Sequence, residues 1–127
     1  MDQLRILVVD DEQDVEALFA QKFRKQVKDG KFEINYVSSA ADAIKFVEEN
    51  GVDNLAMVLS DINMPAMDGL ELLKILKDEH NDLKVIMVTA YGDEKNFKEA
   101  MRLGADEFFN KPVNFDLLQK KIEEMFL

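Results

Sequence analysis

Short apolar runs alternate with helical periodicity along the whole chain, and the two patterns change places five times. Ile6-Leu7-Val8-Val9 and Met57-Val58-Leu59 contain no polar residue, the pattern of parallel strands buried on both faces. The first strand is read as Arg5 to Val9, the third as Met57 to Ser60, the fourth as Val85 to Thr89 and the fifth as Glu107 to Phe109. The second, Phe32 to Val37, instead alternates Phe32, Ile34 and Tyr36 with Glu33 and Asn35, which predicts a less buried strand near a sheet edge.

Between the strands, apolar residues recur at helical spacing. Val15, Leu18, Phe19 and Phe23 predict one helix from about Asp14 to Lys28, closed by Asp29-Gly30. Ser39 with Asp42 predicts an N-terminal cap and Asn50-Gly51 a C-terminal one, around a second helix carrying Ala43, Ile44 and Val47. A loop from Asp61 to Gly69 follows the third strand, and Pro65 excludes a regular helix through its first half. The third helix carries Leu70, Leu73 and Leu76. The fourth, from about Asp93 to Leu103, stops at Gly104. The fifth opens at Asn114 and carries Leu118, Ile122 and Met125. Strands alternating with helices in this way predict an α/β fold, a parallel sheet covered on both faces, in one domain over residues 1–127.

Composition narrows the chemistry. The chain has no cysteine, which excludes disulfides and thiolate metal sites. A net charge of −10 disfavours nucleic acid and anionic membrane as direct partners. No apolar run approaches the ~18 residues of a membrane span. The N-terminal residues enter the first strand without a signal-peptide pattern, so the expected location is the cytoplasm.

The charged residues that follow the strands carry the functional signal. Asp10-Asp11, Asp61 and Lys111-Pro112 each come directly after a strand-type run. In an open parallel sheet, ligands bind beyond the carboxyl ends of the strands, so these groups are expected in one cleft. An acid cluster alone would only mark a helix start. Three carboxylates at close range repel, however, and need a cation to stay ionised together. Hard oxygen donors suit Mg2+. His80, the single histidine, lies in a charged stretch and is read as surface. A carboxylate can serve as nucleophile toward phosphorus, with the metal and Lys111 offsetting charge on the transferring group. Thr89, followed by the small Ala90, can offer a hydroxyl to a phosphoryl oxygen. The five glycines match neither the dinucleotide fingerprint nor the P-loop, so a bound nucleotide is not the expected phosphodonor.

Taken in order, Ile6-Leu7-Val8-Val9-Asp10-Asp11-Glu12, Leu59-Ser60-Asp61-Ile62-Asn63-Met64-Pro65 with Met67-Asp68-Gly69, Val88-Thr89-Ala90, and Gly104-Ala105-Asp106 through Lys111-Pro112 resemble the response regulator receiver domains of two-component signalling. The resemblance covers essentially the full chain. It implies a doubly wound, flavodoxin-like (βα)5 fold with strand order 2-1-3-4-5, an order already described for a member of that family. It implies Asp61 as phosphoacceptor, and Asp10, Asp11, Asp61 and the Asn63 backbone carbonyl as ligands of Mg2+. Thr89 and Lys111 would contact the phosphoryl group, Thr89 and Phe108 would form the switch, and Pro112 would follow a cis bond. The implied donor is a phosphohistidine on a sensor histidine kinase or phosphotransfer protein. The implied readout is the surface of the fourth helix, fifth strand and fifth helix, which would control a separate target or a fused output domain. Many relatives carry tyrosine where this chain has Phe108, so its ring has no hydroxyl to re-pair on rotation. Asn63 and Tyr91, two positions after Asp61 and Thr89, are expected to tune the phosphoryl lifetime, Tyr91 by shielding the acyl phosphate from water.

Two other readings compete. An aspartate-nucleophile phosphatase of the haloacid dehalogenase type also places an acid after a strand and uses Mg2+, but it would carry a second aspartate where this chain has Asn63. A pure interaction domain would leave the acids without metal.

Overall fold

Leu7 and Val9 pack on one side of the first strand while Ile6 and Val8 pack on the other, and all four are buried. An uninterrupted apolar strand therefore feeds two cores at once. The computed structural model describes residues 3–64, 67–90 and 93–126. Its elements are β1 (Leu4–Val9), α1 (Asp14–Lys22), α2 (Arg24–Lys28), β2 (Phe32–Val37), α3 (Ala40–Asn50), β3 (Met57–Asp61), α4 (Gly69–Glu79), β4 (Lys84–Ala90), α5 (Glu94–Arg102), β5 (Glu107–Lys111) and α6 (Phe115–Phe126). The strands form one parallel sheet in the order β2-β1-β3-β4-β5. The core on one face joins Leu7, Val9, Val58, Val85 and Met87 to α3, α4 and Ala100 of α5. The other joins Ile6, Val8, Met57, Leu59, Ile86 and Val88 to Phe19, Phe23, Leu118 and Ile122.

β2 takes a sheet edge, as its alternation predicted. Ser39 caps α3, its hydroxyl accepting the Asp42 N–H at 3.1 Å, and Gly51 closes that helix at φ +73°. Asn114 accepts the Leu117 N–H at 3.1 Å and so caps α6.

Two expectations need correction. The helix predicted from Asp14 to Lys28 breaks at Phe23, whose backbone turns to φ −106°, ψ 18°. The Phe23 ring is locked among Phe19, Phe32 and Phe115, and the chain bends around it while Phe23 N–H still donates to Phe19 O. The strands also run further than their apolar stretches. Asp61 and Lys111 are the last residues of β3 and β5, because the ladder continues through Asp61 opposite Val88 and Lys111 opposite Ala90. Ladder pairing does not require an apolar side chain.

At the opposite end of the sheet, Asp106 ties β4 and β5 together. Its Oδ2 accepts from Lys77 Nζ at 2.7 Å and from the Val85 N–H at 2.8 Å, and Lys77 Nζ also donates to Leu83 O at 2.8 Å. Removing one partner of a buried pair leaves the other charge uncompensated. Both side chains keep some water contact, so the low end of the usual range applies. Asp106→Ala is expected to lose about 3 kcal/mol in urea unfolding, with an unchanged m-value.

Candidate functional site

The carboxyl ends of β1, β3, β4 and β5 bring Asp10, Asp61, Asn63, Thr89 and Lys111 together. β1 ends where Asp10 Oδ1 accepts the Glu12 N–H at 2.9 Å, a turn that stops the strand and starts the approach to α1. β3 delivers Asp61, 5% exposed, whose Oδ1 accepts the Asn63 N–H at 3.2 Å. β4 delivers Thr89, wholly buried, whose hydroxyl accepts from Asn63 Nδ2 at 3.2 Å. β5 delivers Lys111, and the Lys111–Pro112 bond is cis.

The loop after β3 returns tightly to its own start. Gly69 N–H donates to Ile62 O at 2.8 Å. A Cβ on Gly69 would lie 2.1 Å from the Asp61 carbonyl oxygen and 2.8 Å from Ile62 Cα, so only glycine lets α4 begin against the backbone of Asp61. Asp68 then caps α4 by accepting the Glu71 N–H at 2.9 Å.

Electrostatics dominate the cleft. Asp10, Asp11 and Asp61 each offer a carboxylate oxygen within 4.8 Å of the others. Lys111 Nζ lies 3.0 Å from Asp61 Oδ2, 3.3 Å from Asp10 Oδ2 and 3.0 Å from Glu12 Oε1. From the sequence, Lys111 was expected to offset charge on the transferring group. Its long stem carries the ammonium in among the acids, where it serves as their counter-ion. Burial raises the Asp10 pKa above its ordinary value, and the Asp61 charge adds to the rise, against the Glu12 N–H and Lys111. Burial pulls the Lys111 ammonium down, but its hydrogen bonds to Asp61 and Glu12 and the charges of Asp61 and Asp10 carry it well above the ordinary lysine value. Hard oxygens at this spacing fit a small divalent cation that keeps some of its waters.

Phe108 is half-buried and meets Phe97 edge-on, with ring centroids 5.1 Å apart at 83°. Phe97 is 44% exposed on α5. Pro65 and Tyr91 lie outside the described residues. His80, expected on the surface, is half-buried where α4 ends and takes no part in the acid cluster. Four participants went unassigned in the sequence: Glu12 as a Lys111 partner, Gly69 as the contact behind Asp61, the Asn63 amide as a partner of Thr89, and Phe97 as a cover for Phe108. Only Gly69 left a signal, a glycine at the first helical position just after an Asp cap, where helix formation does not call for one.

The profile of the response regulator receiver domain matches residues 6–123. The chain belongs to the response regulator receiver family. The receiver is 36% identical over 109 residues to the transcriptional regulatory protein SrrA of Staphylococcus aureus, an alignment covering 86% of this chain and 42% of SrrA. It therefore spans less than half the length of that relative. Its fold superposes on a receiver domain protein (CheY-like) from Methanospirillum hungatei with TM-score 0.85, at 30% identity over 98% of this chain and 94% of that one. The response regulator TrrA of Thermotoga maritima, solved in complex with Mg2+-BeF, gives TM-score 0.82 at 30% identity, covering 98% of this receiver and 100% of TrrA. Membership sets aside the phosphatase reading. Among the described residues, no helix is long and apolar enough to cross a membrane.

Proposed function

We propose that this receiver accepts a phosphoryl group on Asp61 from a phosphohistidine of a sensor kinase or phosphotransfer protein in the cytoplasm, and so changes the α5-β5-α6 surface read by a target or a fused output domain. The observation that carries this reading is the gathering of Asp10, Asp11 and Asp61 within 4.8 Å, with Lys111 Nζ 3.0 Å from Asp61. Asp10, Asp11, Asp61 and the Asn63 backbone carbonyl would hold Mg2+, whose charge offsets that of the transferring group. An Asp61 oxygen attacks phosphorus, an O–P bond forms, the P–N bond to the donor imidazole breaks, and the imidazole keeps the electron pair. Lys111, bound to Asp61 at rest, would pair with the phosphoryl oxygens. The Thr89 hydroxyl gains a charge-assisted partner, and Phe108 follows it inward, away from Phe97.

One cavity of about 420 Å³ is lined by Asp10, Glu12, Asp61 and Lys111 and continues between Leu18 and Phe19 of α1 and Phe115 of α6. SrrA is a transcriptional regulator, so a fused output domain is one destination for the signal.

The test is stoichiometric labelling by acetyl phosphate, expected to stop near one phosphoryl group per chain and to need Mg2+. Continuous release of phosphate from an ester, or labelling without a divalent ion, would refute the reading. Asp11 is exposed and its carboxylate faces Asp10 and Asp61. Asp11→Ala is expected to weaken Mg2+ binding at least ~10-fold, because a hard donor or its support is lost. Its metal-free melting temperature should stay level or rise, since a like charge has gone. Isothermal titration and thermal melts measure the two effects.

A further inference from the structure

Asn63 touches both ends of the proposed signalling step. Its backbone N–H donates to Asp61 Oδ1 at 3.2 Å, and its side-chain amide donates to Thr89 Oγ1 at 3.2 Å. Thr89 is wholly buried, and among the described residues the Asn63 amide is the side chain that meets its hydroxyl. Asn63 itself is exposed, so water can satisfy its amide once the contact breaks. The hydroxyl lies inside the protein and has no such substitute. We infer that Asn63 is a positioning residue that holds Thr89 in the resting state, and that a phosphoryl group on Asp61 must take Thr89 from it.

From the sequence, Asn63 was expected to act on the phosphoryl lifetime. The geometry gives it an earlier role. A hydrogen bond to an ionised acceptor is stronger than one between neutral groups, so a phosphoryl dianion wins the exchange. The amide contact it must break raises the threshold for the switch. Because Asn63 is anchored to Asp61 through its own backbone, the restraint sits beside the group that removes it.

This inference rests on the reading that Asp61 carries the phosphoryl group. The test uses beryllofluoride with Mg2+ as the phosphoryl mimic, on the protein as it stands and on Asn63→Ala, Thr89→Val and the double variant. Thr89→Val deletes the hydroxyl and keeps the side-chain shape. Asn63→Ala is expected to tighten beryllofluoride binding ~2- to 10-fold, the range set by one neutral hydrogen bond, and to have no tightening effect in the Thr89→Val background. In the metal- and fluoride-free Asn63→Ala protein, the Thr89 methyl resonance should move toward its beryllofluoride-bound position. Equal effects of Asn63→Ala in both backgrounds, or weaker binding, or an unmoved methyl resonance would overturn the inference. If the unsubstituted protein binds beryllofluoride no better than Asp61→Asn does, the phosphoacceptor reading itself falls. The two failures are thus distinguishable.

Discussion

Asp61→Asn is expected to abolish phosphate uptake from acetyl phosphate or a phosphohistidine donor, a loss of at least about a thousandfold, as for deletion of other catalytic nucleophiles. The amide has nearly the shape of the carboxylate, so the end of β3 and the loop after it should persist. It carries no nucleophilic oxygen anion. Asp10 and Asp61 are held alike, each with one oxygen on a backbone N–H and the other on Lys111, so it is the position of Asp61 at the end of β3 that the substitution tests. Asp61 is 5% exposed at the centre, with one oxygen on the Asn63 N–H and the other on Lys111. Radiolabel uptake, alongside a circular dichroism spectrum to show that the fold is intact, measures the effect. Labelling of the variant at the normal rate would move the phosphoacceptor to another residue.

Gly69→Ala is expected to be as damaging, by a different route. The added methyl would need to occupy space 2.1 Å from the Asp61 carbonyl oxygen and 2.8 Å from Ile62 Cα. Both neighbours are backbone, so neither can rotate aside as a flexible side chain would. Overpacking a well-packed site usually costs about 1–3 kcal/mol, and a clash with fixed backbone belongs at or above the top of that range. Relief requires α4 to withdraw or the end of β3 to shift. The second response moves Asp61 relative to Lys111 and to Asp10. Urea unfolding should therefore show a loss of about 3 kcal/mol or more, and the folded fraction should take up phosphate slowly. A variant with wild-type stability and uptake would show that Gly69 is not what fixes Asp61.

The side of the sheet that carries the site was legible because burial and charge change abruptly near the strand ends, although β3 and β5 run on to include Asp61 and Lys111. A parallel sheet sends all such ends to one side. The capping of α3 and α6 was legible for a local reason, a side chain bonding a backbone three residues on. What stayed hidden depends on contacts distant in sequence. The bend at Phe23 leaves the apolar spacing intact, and only the rings of Phe32 and Phe115 reveal why the chain turns. Asn63 and Thr89 are 26 residues apart, and nothing near either one announces the pairing. Lys111 was assigned to the site, but its central place among the acids is a matter of reach rather than of spacing.

The tie through Lys77 and Asp106 lies at the amino ends of β4 and β5, while Asp10, Asp61, Thr89 and Lys111 lie at or next to the carboxyl ends of their strands. A cell carrying a substitution at Asp106 would have an intact phosphoacceptor on a scarcer protein. Marginal folded proteins are cleared continuously, and a loss of 1–2 kcal/mol already changes abundance about several-fold. Such a strain would score as deaf to its stimulus, yet each surviving molecule would answer normally. Raising expression should restore its response, and the same remedy should do nothing for Asp61→Asn.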